Sequence, residues 1–442
     1  MRTKTFLLFV GLLFCLSVEN AFTQEHPLAG TTAVDDAYQY ETIGEFKVGP
    51  CTAYSLKMTS QTWRDAPWTH WLSILVPPVV KHDDAAVLFI TGGSTRSGQP
   101  KADSTEAQLF AYIASMAQTP IAILQQVPNQ PLHGDRYEDD LIAFTYDKFL
   151  TNQGDDWPLL LPMVESARRA MDTTTTVMKQ KTGTTIDRYV VSGASKRGWT
   201  TWLTAAADKR VIAIAPMVID MLNLQSQMKQ QIQSYGKFSR MIEPYLKFNL
   251  PERFETKRGQ ELQNIVDPYS YREQLTLPKL MVLGTNDPYW TVDAANLYFP
   301  DLQGTKHLYY LANAGHGLGP TIAPTVATFF QKSIAGETFQ TVKWETGADG
   351  QFHVKWKGEN GSATLWTANS DTRDFRESQW KSRKLDGENT VTVNVPEPDT
   401  GWIAYYVELE FPGILAFKYN VATEIQVLPK KFPFPYPLPA KK

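Results

Sequence analysis

Cysteine is almost absent: two in 442 residues, too few for a disulfide framework. One of them, Cys15, sits in an N-terminal apolar segment. A chain trimmed of that segment keeps only Cys51 and holds no intramolecular bridge. Charge of one sign is lacking too, with 43 Lys and Arg against 46 Asp and Glu and no basic stripe. That excludes the electrostatic footprint a nucleic-acid partner requires. There is no Gly-rich phosphate loop and no Cys/His spacing for a metal. His82-Asp83-Asp84 and His133-Gly134-Asp135 read as solvated loops, because a metal site needs more ligands on rigid elements. No metal or organic cofactor is expected. Phe6 to Val18 is the one long apolar run, and it is too short to span a membrane. Preceded by Arg2 and Lys4 and followed by polar residues from Glu19, it reads as a secretory signal over residues 1–21, cut after Ser17 or Ala21. Phe14 before Cys15 argues against lipoprotein attachment. The expectation is a secreted or periplasmic protein with no stable membrane insertion once the signal is removed.

What is present is an ordinary globular composition, 43% hydrophobic, 12% aromatic and 20% charged. Its length implies one large domain and a smaller one. From Cys51 to Gly336 apolar runs alternate with helical patterns. The runs are Trp71–Val76, Ala85–Ile90, Ile121–Leu124, Tyr189–Val191, Val211–Ile214, Lys279–Leu283 and His307–Leu311. Unbroken apolarity suits strands covered on both faces, and Leu160–Lys181 and Trp199–Ala207 read as helices. Together they predict an α/β fold over residues 22–336. A stretch rich in Gln, Met, Tyr and Phe, about 223–267, reads as helices inserted between two strands, either capping the strand ends or packing at the side. After Gly336 short alternating runs and Asp-Gly turns predict a small antiparallel β-sandwich over 337–428. A Pro-rich tail, 429–442, cannot be helical.

Chemistry in such a fold belongs to loops at the carboxyl ends of strands. Ser195 follows one strand within Gly193-Ala194-Ser195-Lys196-Arg197-Gly198, a G-x-S-x-x-G spacing rather than the commoner G-x-S-x-G. Asp287 follows the next-to-last strand and His316 the last, between two glycines. A serine hydroxyl needs an imidazole to take its proton, and the imidazole needs a carboxylate to fix its tautomer. Asp287 is preferred to Asp220, Asp267 and Asp293 because it comes directly after its strand. Backbone amides of Lys196 and of Gly93 and Ser94 are the expected oxyanion donors. Tyr289 and Trp290 are expected either to line an apolar or sugar-binding pocket or to be core. Arg197 either binds an acidic substrate group or, the preferred reading, pairs with a neighbouring carboxylate.

Gly-Ala-Ser-Lys-Arg-Gly-Trp at 193–199, Gly-Thr-Asn-Asp at 284–287 and Ala-Gly-His-Gly at 314–317 resemble the PhoPQ-activated pathogenicity-related (PqaA-type) proteins. So do Trp366-Thr367-Ala368 and Arg373-Asp374-Phe375-Arg376. That family includes a secreted autocrine proliferation repressor of a social amoeba. The resemblance implies an exported α/β-hydrolase with a C-terminal β domain, and it names no substrate. The expectation is therefore a serine hydrolase acting on a small ester or peptide. The rival is a secreted signalling or binding protein on a hydrolase scaffold, docking a protein partner through the C-terminal domain.

Overall fold

The strand Ala85–Ile90, apolar at every position, is buried near the centre of the sheet, the place where such a run is stable. The computed structural model describes Leu28, residues 34–358 and residues 360–437. The expected signal segment, residues 1–21, lies outside them. The strands are β1 (Gln39–Val48), β2 (Cys51–Trp63), β3 (Ala66–Val76), β4 (Ala85–Ile90), β5 (Ile121–Leu124), β6 (Arg188–Ala194), β7 (Val211–Met217), β8 (Lys279–Gly284) and β9 (Lys306–Leu311). Across the sheet they run β1-β2-β3-β5-β4-β6-β7-β8-β9. Pairing is antiparallel from β1 to β5 and parallel from β5 to β9. This is the α/β-hydrolase fold.

Two separate apolar cores lie on the two faces. Tyr189 and Val191 of β6 join the helices Leu160–Thr182 and Lys196–Ala207 in one, whereas Val190 joins Thr105–Ala117 and Ala323–Ala335 in the other. The chain reverses direction across the sheet at β4, which creates a crevice outside the strand ends where ligands bind in such sheets. Ile90 of β4 pairs with Gly193 of β6, so the loops leaving both strands start side by side in that crevice. β1 escaped the sequence reading because it is a mostly exposed edge strand without an apolar run.

Between β7 and β8 the chain forms the helices Leu224–Tyr235 and Lys257–Val266, joined by short helical turns. Asp267 closes the base of this excursion. Its carboxylate accepts the backbone N–H groups of Asn223 (3.2 Å) and Leu224 (2.8 Å) at the start and of Tyr269 (2.9 Å) just past the end. Replacing Asp267 by alanine orphans three amides beside a buried site. A loss of roughly 2–4 kcal/mol is expected, read from denaturant unfolding. An unchanged midpoint would show that these bonds do not hold the excursion in place.

The C-terminal strands form two sheets. Thr341–Thr346, Phe352–Lys357 and Thr390–Val393 make one, and Lys418–Ala422, Trp402–Pro412, Ser362–Ser370 and Lys381–Leu385 the other. Their facing side chains meet in a small sandwich core, as Phe352 meets Tyr405 edge-on at 5.6 Å. The larger sheet is continuous with the main one, since Ala422 pairs with Leu308 of β9. The join covers an edge strand whose unpaired backbone would otherwise invite association. The described part of the tail lies along the inserted helices. Phe434 donates its N–H to Gln233 (3.2 Å), and the Tyr436 hydroxyl reaches Glu255 (3.2 Å).

Candidate active site

The β6 strand ends in a strained turn. Ser195 has φ 57° and ψ −126°, a conformation rarely tolerated outside glycine, and its N–H is tied to Met217 O at 2.8 Å. A Cβ at Gly193 would lie 2.8 Å from Arg197 O and 2.9 Å from Ile90 O. One at Gly198 would lie 2.8 Å from Ile219 Cγ2 and 2.9 Å from Gly193 O. Both glycines let the helix Lys196–Ala207 start hard against the sheet, which explains the unusual spacing. The position held by glycine in the commoner motif carries Arg197 here.

Arg197 is buried. Its guanidinium pairs with Glu138 at 2.8 and 2.6 Å and donates to Val127 O at 2.5 Å. Burial raises the Glu138 carboxyl, but Arg197 overrides it and holds the group down at about 2. The same guanidinium packs under Gly92, where a Cβ would come within 2.6 Å. Arg197 is thus paired with Glu138 and packed under the 91–94 loop. The loop's carbonyls are tied back as well: Gln130 donates to Gly93 O (2.9 Å) and Gln126 to Ser94 O (2.8 Å). Among the described residues no acceptor takes the backbone N–H of Gly93, Ser94 or Lys196.

The structure brings Ser195, His316 and Asp287 together. His316 Nε2 lies 2.9 Å from Ser195 Oγ, and His316 Nδ1 lies 2.8 Å from Asp287 Oδ2. A carboxylate only accepts, so Nδ1 carries the proton and Nε2 is left free to accept from the hydroxyl. The second Asp287 oxygen accepts the Tyr289 N–H at 3.0 Å. Tyr289 lies against the imidazole, ring centroids 4.5 Å apart. Its hydroxyl donates to Asp139 (3.0 Å), as does that of Tyr245 (2.9 Å), and Lys196 Nζ lies 3.2 Å from the same carboxylate. Burial raises both phenols, which therefore stay protonated donors.

The other carboxylates are placed elsewhere. Asp293 pairs with buried Arg373 at 2.5 Å and accepts from Gln230 at 3.0 Å. Asp267 holds the excursion, as described. Asp220 is buried beyond the end of β7, and among the described residues one of its oxygens has no hydrogen-bond partner. Burial pushes its carboxyl up to about 8, against the nearby Tyr298 hydroxyl, and the charges of Asp287 and Asp293 push it further. A folded-state value above the unfolded one means the contribution to stability is complete below about pH 4 and drains away as pH rises toward 8. Asp220→Asn keeps the shape without the titration. Its stability advantage over the parent should grow by several kcal/mol between pH 4 and pH 9, measured by paired unfolding curves. A difference independent of pH would refute a buried neutral acid.

Two asparagines whose role was not read from the sequence fasten the site to the loop 371–380 between the C-terminal strands Ser362–Ser370 and Lys381–Leu385. Asn286, next to Asp287, donates to Ser378 O (2.7 Å) and Arg376 O (3.1 Å). Asn313, on the loop leading to His316, exchanges two bonds with the Trp380 backbone at 3.1 and 2.8 Å. Thr285 joins the two loops by accepting the Asn313 N–H at 2.9 Å. Asp139 was missed too, because Glu138-Asp139-Asp140 looks like the usual acidic first turn of a helix.

Ser195, His316, Tyr289 and Trp290 line a partly open pocket. Its far wall comes from the inserted helices, through Leu224, Met228, Ile242, Tyr245 and Phe254. The insertion is therefore a cap over the strand ends. Among the described residues no group of three or more metal-ligating side chains occurs, and no helix is long and apolar enough to cross a membrane.

A family model described as PhoPQ-activated pathogenicity-related protein matches residues 30–376. Autocrine proliferation repressor protein A of Dictyostelium discoideum is 29% identical over 452 residues, covering 91% of this chain and 90% of that protein. Among solved structures, acetyl xylan esterase 1 from Thermoanaerobacterium sp. JW/SL YS485 matches 70% of this chain and 91% of its own, with 15% identity and a TM-score of 0.42. An acetyl xylan esterase from Paenibacillus sp. R4 matches 69% and 90%, with 12% identity and a TM-score of 0.45.

Proposed function

As a member of the PhoPQ-activated pathogenicity-related family, to which it belongs, this chain is, we propose, an exported serine hydrolase that cleaves an ester or a peptide bond. The observation that carries the reading is the unbroken relay Asp287–His316–Ser195, with contacts of 2.8 and 2.9 Å. His316 Nε2 takes the Ser195 proton as Oγ bonds to the substrate carbonyl carbon. The oxyanion that forms is held by the N–H of Lys196 and an N–H from Gly93 or Ser94, donors that no acceptor takes among the described residues. Collapse of the adduct breaks the bond to the leaving group, which departs with the proton from His316. Water then adds to the acyl-enzyme by the same relay in reverse, releasing the acid and restoring Ser195. The basic start and apolar run at the N-terminus support export.

The test is covalent labelling of the purified protein by a fluorophosphonate, with Ser195→Ala alongside. Labelling confined to the parent is expected. A folded parent that does not label points instead to the signalling or binding reading. That second reading is favoured by the name of the Dictyostelium relative, an autocrine proliferation repressor that covers nearly the whole chain.

A further inference from the structure

The cavity beside Ser195 says more about the substrate than the relay does. Its inner wall is aliphatic and aromatic: Ile219 and Met221 come from the sheet side, and Leu224, Met228, Ile242 and Phe254 from the cap, all six almost fully buried. Among the described residues the charged groups that line it are two, Asp139 and Lys196, and both are already matched. Asp139 takes hydroxyls from Tyr245 and Tyr289 and lies 3.2 Å from the Lys196 ammonium. That ammonium also lies 3.4 Å from Glu138. A substrate cation would find its carboxylate taken, and a substrate anion would meet an ammonium between two carboxylates. Among the described residues that line the cavity, the Tyr146 hydroxyl and Trp290 Nε1 are the buried polar side-chain atoms left without a partner, so a sugar or an amide would exchange its water for at most two such contacts, which costs free energy. An apolar chain loses nothing and gains contact along the wall.

Resting on the serine-hydrolase reading, we infer that the substrate is an ester bearing an apolar chain, seated in the cavity between Ser195 and the cap. The cavity begins at the nucleophile, so the chain starts at the reacting ester group, on either its acyl or its alcohol side. Met228, on the cap helix Leu224–Tyr235, is part of the wall that limits its length.

The experiment measures kcat/KM on the full chain for two ester series. p-Nitrophenyl esters from acetate to dodecanoate vary the acyl side, and alkyl acetates from ethyl to octyl vary the alcohol side. One series should climb about threefold to fourfold per methylene before levelling off, identifying the side that enters the cavity. Met228→Trp should lower the octanoate-to-acetate ratio (or its alcohol-side equivalent) at least tenfold, and Met228→Ala should move the optimum to longer chains. Both variants shifting the preference in the same direction would overturn the assignment of the wall. A protein that labels with fluorophosphonate yet shows flat or falling profiles in both series overturns the apolar-chain inference and leaves the hydrolase standing. A folded protein that does not label removes both.

Discussion

Alanine at position 195 should lower turnover about 10⁴- to 10⁶-fold without weakening the fold. Among the described residues the hydroxyl makes one hydrogen bond, to His316, and it lines the open pocket rather than the core. The backbone there is a separate matter. At φ 57° and ψ −126° a side chain sits in a region that costs on the order of 1–3 kcal/mol, and glycine relieves most of it. Ser195→Gly should therefore be inactive and more stable than the parent, by about 1 kcal/mol in denaturant unfolding. Strain held at one functional residue and released by its removal marks a site where activity is maintained against stability. Steady-state turnover and two unfolding curves check both halves. Residual activity near the parent's would remove Ser195 as nucleophile, and a less stable glycine variant would refute stored strain.

The parallel half of the sheet was legible because each strand is a short run of apolar residues, a pattern forced by burial on both faces. Ala85–Ile90 and Ile121–Leu124 needed no adjustment of their ends. The order of Ser195, Asp287 and His316 along the chain was legible for a related reason: each directly follows such a run. The edge strand Gln39–Val48 carries no such pattern, since most of it faces solvent. Whether residues 223–267 cap the site or pack beside it could not be read, because helix periodicity shows which face is apolar and not what lies against it. Asn286 and Asn313 were invisible for another reason. Their partners are backbone carbonyls and an amide about 70 to 90 residues away, and backbone has no sequence signature. The same holds for the continuity between β9 and the C-terminal sheet, which depends on the single pairing of Ala422 with Leu308.

Asparagine in place of Asp287 should reduce turnover about 10⁴-fold with the fold intact. The amide can turn an N–H toward His316 Nδ1, which must then accept, so the ring proton moves to Nε2 and no base faces Ser195. The imidazolium formed during attack also loses its partner charge. The other acids near the site predict a sharp contrast. Asp220 carries no hydrogen bond to His316 and is pushed up to about 8 by burial, so at neutral pH it is largely protonated and resembles asparagine already. Asp220→Asn should change kcat by less than about threefold, within what distant substitutions do. Asp293 is committed to Arg373 and Gln230. Breaking that pair strands a buried guanidinium, so Asp293→Ala should unfold more readily, by about 3–5 kcal/mol. Kinetics and unfolding measured together on the three variants therefore separate the roles. Loss of turnover at Asp220 equal to that at Asp287 would move the orienting carboxylate to the end of β7. A large loss at Asp287 alone ties catalysis to the carboxylate that the structure places 2.8 Å from the imidazole.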